Sequence, residues 1–170
     1  MAGTQKIIEV AANLAIFVVC GLIGWTLLTH KSLPSGWGRE ATRLEGVTLP
    51  PLPGYHWGDH QKTLVLAIRK GCHYCDSSLP FYKQLSGLEK SNTLHVHLLA
   101  VMPDDRASGA AYLQSGGVSV EAVFNQPLSS IRVSGTPTLF LVDAKGRIEH
   151  SWVGQLTPQG EKDVIAAVEK

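Results

Sequence analysis

Two cysteines, Cys72 and Cys75, stand at the junction between two different hydrophobic patterns. The apolar run Thr63–Arg69 before them has the length and composition of a buried β-strand, and the residues after them repeat their apolar positions at helical spacing. A helix N-terminus carries partial positive charge and unpaired N–H groups, so it stabilises a thiolate placed there. The spacing also lets the second sulfur reach the first, which indicates a redox-active pair.

The residues around this pair alternate between strand and helix patterns. Four strands are predicted at Thr63–Arg69, Leu94–Val101, Thr138–Val142 and Arg147–Val153, and a further short element at Val120–Phe124. Three helices are predicted at Cys75–Leu88, Asp104–Gln114 and Pro158–Val168, the last with Thr157 as its N-cap. The turn Asp143–Gly146 joins the last two strands into a hairpin. This order of elements predicts an α/β sandwich.

A stretch of nineteen residues without a charge, Val10–Leu28, precedes the domain. A helix of that length spans roughly 30 Å, about the thickness of a bilayer's hydrocarbon core. No A-x-A-like cleavage site follows it, so the sequence predicts an uncleaved membrane anchor over residues 1–29, with Cys20 as an ordinary thiol inside it. Residues 30–62, which hold several prolines and glycines, are predicted to be a spacer and lead-in, and residues 63–170 a folded domain.

The overall charge is close to neutral. Fifteen Lys and Arg against fourteen Asp and Glu give a net charge of +1, and no basic stripe is present, which argues against a nucleic-acid partner. Basic residues lie on both sides of the apolar stretch, so charge alone does not orient it in a membrane.

Several residues near the pair are candidates for tuning its redox poise. Lys70 adds positive charge just before the pair, and His73 and Tyr74 lie between the two sulfurs. A protonated His73 would stabilise the Cys72 thiolate, although a solvated loop histidine explains this residue equally well. Asp76 lies four residues after Cys72 on the same helical face and is expected to raise the thiol pKa.

Other uses of a cysteine pair remain open. Zinc or copper binding would need further ligands from histidines such as His56, His60 and His73. A static structural disulfide is a further alternative. A c-type haem site is excluded because residue 76 is aspartate rather than histidine. We assign structural roles to His95 and His97, and we expect no metal ligand and no cofactor beyond the pair itself.

The sequence resembles the thioredoxin superfamily over residues 62–170. The resemblance rests on "KGCHYC" after a strand and on "SGTPTLFLVDAKGRI" later in the chain. Pro80 stands where many thioredoxin-like proteins have a proline in the active-site helix, and Thr136-Pro137 matches the family's cis-proline position; Gly146 and Gly154 match family glycines. The resemblance implies a thioredoxin-like three-layer sandwich with a central mixed sheet and an extra helical insertion around residues 104–124, and the apolar stretch predicts one N-terminal transmembrane helix before it.

The resemblance also implies roles for individual residues. Cys72 would be the nucleophile, Cys75 the resolving cysteine, and Thr136 and Pro137 the substrate-binding residues. The anchor and the length of the chain between Cys72 and Pro137 resemble the TlpA-like membrane-anchored cell-envelope thioredoxins. The Tyr74 and Gly-Thr-Pro features are similar to periplasmic disulfide isomerases.

Two positions depart from the thioredoxin pattern. Gly71 stands where a tryptophan is common, and Leu66 stands where thioredoxins carry a buried acid. The sequence therefore leaves open which group takes the proton of Cys75.

The implied function is that of a membrane-tethered thiol–disulfide oxidoreductase that reduces or exchanges disulfides of cell-envelope proteins. Its expected partners are protein disulfides or dithiols and a membrane electron-donor protein, and its redox domain is expected to face the periplasm or another extracytoplasmic side. The alternatives are a copper metallochaperone that uses the same thiols and a non-catalytic binding module on a thioredoxin scaffold.

Overall fold

The computed structural model describes residues 14, 16–19, 25 and 44–169. The chain divides into two compact units, Met1–Ala41 and Thr42–Lys170. In the first unit the described residues are helical and exposed. Most of the predicted anchor, Val10–Leu28, lies outside the described residues. Among the residues that are described, no helix is both long and apolar enough to cross a membrane.

Over residues 44–169, the second unit contains five strands and three α-helices. They are β1 (Lys62–Ala67), α1 (His73–Lys90), β2 (His97–Met102), α2 (Arg106–Ser115), β3 (Ala122–Asn125), β4 (Thr138–Asp143), β5 (Ile148–Val153) and α3 (Pro158–Val168). The strands and helices predicted within residues 63–170 all form, including the helix and short strand between β2 and β4. In α3 the Thr157 side chain accepts the backbone N–H of Gly160 at 3.2 Å, as the N-cap prediction requires.

The strands form one mixed sheet in the order β3-β2-β1-β4-β5. β1, β2 and β3 run parallel to one another, whereas β4 pairs antiparallel with both β1 and β5. The predicted hairpin of β4 and β5 closes at Gly146, which has φ +77°. A Cβ at this glycine would lie 2.7 Å from the Trp57 ring, so the position requires glycine for both space and backbone conformation.

Both faces of the sheet are covered by packed chain. Successive residues of β1 point to opposite faces, and because all of them from Leu64 to Ala67 are apolar, each face has its own core. Leu64 and Leu66 face a core that receives the buried residues of all three α-helices. Val65 and Ala67 face a second core. In the described part of the chain this second core contains no α-helical residue. The predicted third layer is therefore supplied by irregular chain, from residues 44–57 and residues 128–133.

The folded unit extends further toward the N-terminus than residue 63. Leu44, Leu49, Leu52, Tyr55 and Trp57 belong to the second core, although they lie in the stretch predicted as spacer and lead-in. They are buried by turns and by a short 3-10 helix, Trp57–Asp59, so their spacing follows no helical or strand period. An isolated bridge between Thr48 and Arg147 also joins this lead-in to the β4–β5 hairpin.

Candidate active site

Cys72 is the N-cap of α1. β1 ends at Ala67, the chain turns through Gly71 with φ +67°, and the helix begins at His73. The sulfur of Cys72 accepts the backbone N–H of Cys75 at 3.3 Å and so takes the place of the usual capping oxygen. The cysteine that the sequence assigned as nucleophile thus lies where unpaired N–H groups favour a negative charge.

The loop before β4 approaches the same sulfur. The Thr136–Pro137 peptide bond is cis, as predicted. The Thr136 hydroxyl donates to Cys72 Sγ at 3.4 Å, and the Thr136 carbonyl oxygen accepts from the Cys72 thiol at 3.6 Å. The sequence-distant Thr-Pro pair therefore forms one wall of the site.

The two sulfurs differ in exposure. Both cysteines are free thiols, and 7% of Cys72 but none of Cys75 is accessible to solvent. Cys72 borders an open groove of about 540 Å³, whose lining includes His73, Tyr74, Leu128, Val133 and Thr136. Only Cys72 is therefore placed to meet a large substrate first.

The same environment separates the acidities of the two thiols. Burial acts to raise the pKa of Cys72, but hydrogen bonds from the Cys75 thiol, the Thr136 hydroxyl and the backbone N–H groups of Cys75 and Tyr74 outweigh it, and the pKa is lowered. Burial raises the pKa of Cys75 to about 11, and its hydrogen bond to Cys72 adds to this effect. Cys72 is therefore the thiol that ionises first.

The residues predicted to tune the redox poise of the pair, Lys70, His73 and Tyr74, differ in their contacts. The Lys70 ammonium donates to the Ser108 hydroxyl at 2.6 Å, and the Lys70 backbone N–H donates to Asp104 at 3.1 Å. His73 and Tyr74 are exposed at the start of α1, with their rings edge to face at 5.6 Å. The interactions that lower the pKa of Cys72 are hydrogen bonds from Cys75, Thr136 and Tyr74. The expected effect of the Lys70 and His73 charges on this pKa therefore stays a prediction.

Asp76 has a partner that the sequence did not reveal. Tyr112, on α2, donates its hydroxyl to Asp76 at 2.7 Å. Burial and this hydrogen bond to the carboxylate raise the pKa of Tyr112. The contact joins the helix that carries the cysteines to the helix between β2 and β3. No local signal could have found it, because the two residues are 36 positions apart.

Two hydroxyls lie on the buried face of α1 that begins with Cys75. Ser78 and Tyr82 follow Cys75 by three and seven residues, which is a helical spacing, and both are buried. Ser78 donates to the Tyr74 carbonyl at 2.8 Å, whereas the Tyr82 hydroxyl has no hydrogen-bond partner of good geometry among the described residues. Burial, with smaller contributions from charge on Cys75 and Cys72, raises the pKa of Tyr82, so its hydroxyl remains protonated.

A central parallel strand that leads into a helix capped by a Cys-x-x-Cys pair, opposite a cis-proline loop, is the arrangement expected of a thioredoxin-fold protein. Solved structures support this class. The chain is similar to a thiol:disulfide interchange protein from Bacteroides sp., with 20% identity over 74% of this chain and 91% of that chain and a TM-score of 0.56. It is also similar to a putative protein disulfide isomerase from Bacteroides thetaiotaomicron, with 14% identity over 74% and 87% of the two chains and a TM-score of 0.58.

A third similar structure is a putative thioredoxin from Neisseria meningitidis, with 21% identity over 64% of this chain and 75% of that chain and a TM-score of 0.53. No protein-family model and no curated protein matches the sequence. At these identities the similarities establish the fold: the second unit is a thioredoxin-like α/β domain.

Proposed function

We propose that the protein is a membrane-tethered thiol–disulfide oxidoreductase that reduces or exchanges disulfides of cell-envelope proteins. The observation that carries the proposal is the contrast between two thiols three residues apart. Cys72 has a lowered pKa and lies at the mouth of a groove, whereas Cys75 is fully buried with its pKa raised to about 11. The attacking cysteine of such a pair must be accessible and readily ionised, whereas the resolving cysteine must be protected from solvent until the mixed disulfide has formed.

In the reducing direction the Cys72 thiolate attacks one sulfur of a substrate disulfide. A bond forms between Cys72 Sγ and that sulfur, the substrate S–S bond breaks, and the other substrate sulfur departs as a thiolate. Cys75 then loses its proton and attacks Cys72 Sγ, which releases the second substrate thiolate and leaves a Cys72–Cys75 disulfide. The substrate gains two electrons and two protons, and a dithiol donor must reduce the pair again.

The buried thiol requires a proton acceptor in the second step. The first substrate sulfur leaves as a thiolate beside the site, so it can accept the Cys75 proton directly or through water. The substrate thiolate thus serves as proton acceptor in place of the buried acid of thioredoxins, whose position holds Leu66 here. The hydroxyl of Tyr82, on the same helical face as Cys75, is protonated and is therefore not the acceptor.

Substrate recognition is proposed at the loop of Thr136 and Pro137. An extended substrate segment that lies in the groove places its sulfur near Cys72 Sγ, and its backbone can pair with the Thr136 backbone in a strand-addition mode. Leu128 and Val133 line the groove and provide apolar contacts for side chains beside the substrate cysteine.

Tethering and compartment are part of the same proposal. Val10–Leu28 would anchor the chain with its N-terminus inside and its redox domain on the extracytoplasmic side, near its substrates and a membrane electron donor. The domain contains no cysteine besides the pair, so it has no spare thiol to mispair in an oxidising compartment. Such a protein would resemble the TlpA-like class.

Reduction of insulin disulfides, driven by dithiothreitol, tests the catalytic proposal. We expect the wild-type chain to accelerate insulin precipitation, Cys72→Ser to abolish the acceleration and Cys75→Ser to trap mixed disulfides. Cys20→Ser is the matched control, because it removes the remaining cysteine and should leave the rate unchanged. A wild-type rate equal to that of Cys72→Ser would overturn the proposal. Copper retention that needs both thiols would then favour the metallochaperone alternative.

A further inference from the structure

Three potential metal ligands meet at the end of the sheet opposite the cysteines. His60 lies two residues before β1, His97 is the first residue of β2, and Glu121 directly precedes β3. These three strands are parallel neighbours, so residues at their N-terminal ends are brought together at one end of the sheet. Cys72 follows the other end of β1, and a six-residue strand is roughly 20 Å long.

The side chains of His60, His97 and Glu121 are in direct contact with one another. His97 Nδ1 lies 3.0 Å from Glu121 Oε2, and His60 Nε2 lies 3.5 Å from Glu121 Oε1. The two imidazole rings are stacked with their centroids 3.4 Å apart. One nitrogen of each histidine and one oxygen of Glu121 all lie within 4.8 Å of one another.

We propose that His60, His97 and Glu121 bind a divalent transition-metal ion of the zinc type. Two imidazoles and one carboxylate are a ligand set that zinc accepts, with a fourth position left for water. Tetrahedral zinc with bonds of about 2.0–2.1 Å needs ligand atoms roughly 3.3 Å apart, close to the two nitrogen–oxygen distances already present. Because the two imidazole rings are stacked, one of them must rotate out of the stack to direct a nitrogen lone pair at the ion.

The surroundings allow an ion to enter and be held. The His97 and Glu121 side chains are 44% and 42% exposed, whereas that of His60 is only 21% exposed. A pocket of about 450 Å³ beside the two histidines is also lined by Asp59, Glu89 and His95. Glu89 is held next to β2 by the backbone N–H of Leu98 at 3.0 Å. The pocket thus adds negative charge and a further imidazole around the site.

A bound ion would join parts of the chain that are far apart in sequence. His60 belongs to the lead-in, whereas His97 begins β2 and Glu121 directly precedes β3. Because the ion would bind the folded chain through all three, it would stabilise the fold as well as occupy the site. The cluster shares no residue with the thiol site, so this inference is independent of the proposed redox function.

Zinc binding to the purified full chain in a mild detergent tests the proposal. All three cysteines are changed to serine, so that no thiol competes for the metal. The Cys20→Ser chain with its Cys72–Cys75 pair oxidised is the second background, in case the thiol-free chain folds poorly. Zn²⁺ is titrated against a chromophoric chelator, and the zinc retained after dialysis is measured. Thermal unfolding is followed with and without Zn²⁺.

We expect one Zn²⁺ per chain, a dissociation constant of about 1 µM or lower and a higher unfolding temperature with the metal. His97→Asn and Glu121→Gln should each weaken binding by about tenfold or more. His150→Asn is the matched control, because His150 is an exposed histidine that lies 4.0 Å from Glu45 at another place on the sheet. Co²⁺ should give the absorption of a tetrahedral nitrogen and oxygen site.

Two results would overturn the proposal. The first is no stoichiometric zinc in either background, which would leave the cluster as a histidine–glutamate ion pair. The second is zinc binding that His97→Asn and Glu121→Gln leave unchanged, or that His150→Asn weakens equally. Insulin reduction by the wild-type chain is measured separately, so the failure of one proposal does not affect the other.

Discussion

The Thr136 hydroxyl donates to Cys72 Sγ at 3.4 Å across 64 positions of sequence. This contact makes the cis-proline loop a direct participant in the acidity of the nucleophile, because a hydrogen bond to a charged acceptor favours the charged form. It also places the proposed substrate-binding backbone within contact of the reacting sulfur.

Thr136→Val should slow alkylation of Cys72 at neutral pH. The substitution keeps the shape of the side chain but removes the donor, so the pKa of Cys72 rises and less thiolate is present. We expect a decrease of roughly threefold to tenfold in the rate with iodoacetamide, since about 1.4 kcal/mol corresponds to tenfold. Thr93→Val is the control, because the Thr93 hydroxyl lies at the far end of α1, where it hydrogen-bonds the Ser91 hydroxyl at 2.9 Å. An unchanged rate would show that the Cys75 thiol and the backbone donors set the acidity without Thr136.

The two thiols should ionise in separate steps. Cys72 has the lowered pKa and Cys75 a pKa of about 11, so thiolate absorbance should rise first from Cys72 and again only in strongly alkaline solution. One equivalent of alkylating agent at neutral pH should label Cys72 alone, as peptide mass mapping can establish. A Cys72 pKa at or above the ordinary value of about 8.5 would contradict this prediction.

Asp143 should stabilise the domain above acidic pH. Partial burial acts to raise its pKa, but the backbone N–H groups of Arg147 and Lys145, at 2.8 and 2.9 Å, and the Arg147 side chain outweigh it and lower the pKa. A lowered folded-state pKa means that the stabilisation is present above the unfolded value of about 3.9 and is lost as pH falls through the folded value.

Asp143→Asn should therefore destabilise the domain at pH 7 by roughly 1 kcal/mol, with a smaller difference below about pH 3. Urea unfolding of both proteins across this pH range is the measurement. Asp163→Asn serves as the control, because Asp163 accepts only one exposed hydrogen bond, from Gln159 at 2.9 Å. A difference between wild type and Asp143→Asn that does not shrink in acid would refute the assignment.

Two buried tyrosines should respond differently to loss of the hydroxyl. Tyr55 shares a buried hydrogen bond of 2.8 Å with Thr63, whereas Tyr82 has no partner of good geometry in the described part of the chain. Tyr55→Phe leaves the Thr63 hydroxyl unsatisfied and should cost about 1–3 kcal/mol, while Tyr82→Phe should be nearly neutral or stabilising. Equal losses in urea unfolding would contradict the difference in their environments.

If Val10–Leu28 anchors the chain as proposed, the C-terminus should lie on the extracytoplasmic side of the membrane. Alkaline phosphatase fused after Lys170 in a bacterial host should be active, and green fluorescent protein at the same position should be dark. Deleting Val10–Leu28 should reverse both results, because nothing would then carry the domain across the membrane. Fluorescence without phosphatase activity in the full chain would place the domain in the cytoplasm.

The regular elements were predictable because their signals are local. The helix Pro158–Val168 follows from its cap and its apolar spacing, and the strand Thr138–Asp143 from a short apolar run. The lead-in was not predictable in the same way. Leu44, Leu49 and Leu52 are buried through turns, so the intervals between them carry no period that a pattern could detect.

The chemistry of the site was also readable in the sequence, since two cysteines at a strand-to-helix junction identify the helix terminus and the thiolate it stabilises. The sequence did not reveal which other side chains surround the two cysteines and their helix. The hydrogen bond from Tyr112 to Asp76, and the lack of a partner for the Tyr82 hydroxyl among the described residues, both depend on how α1 packs against the rest of the domain.

Local sequence thus specifies where the strands and helices form and which two cysteines lie at the start of α1, because each depends on neighbours within one helical turn or one strand. Tertiary structure alone decided that Thr136 reaches Cys72 and that His60, His97 and Glu121 converge. Those contacts depend on the order and register of the strands in the sheet, which bring together residues that are far apart in the sequence.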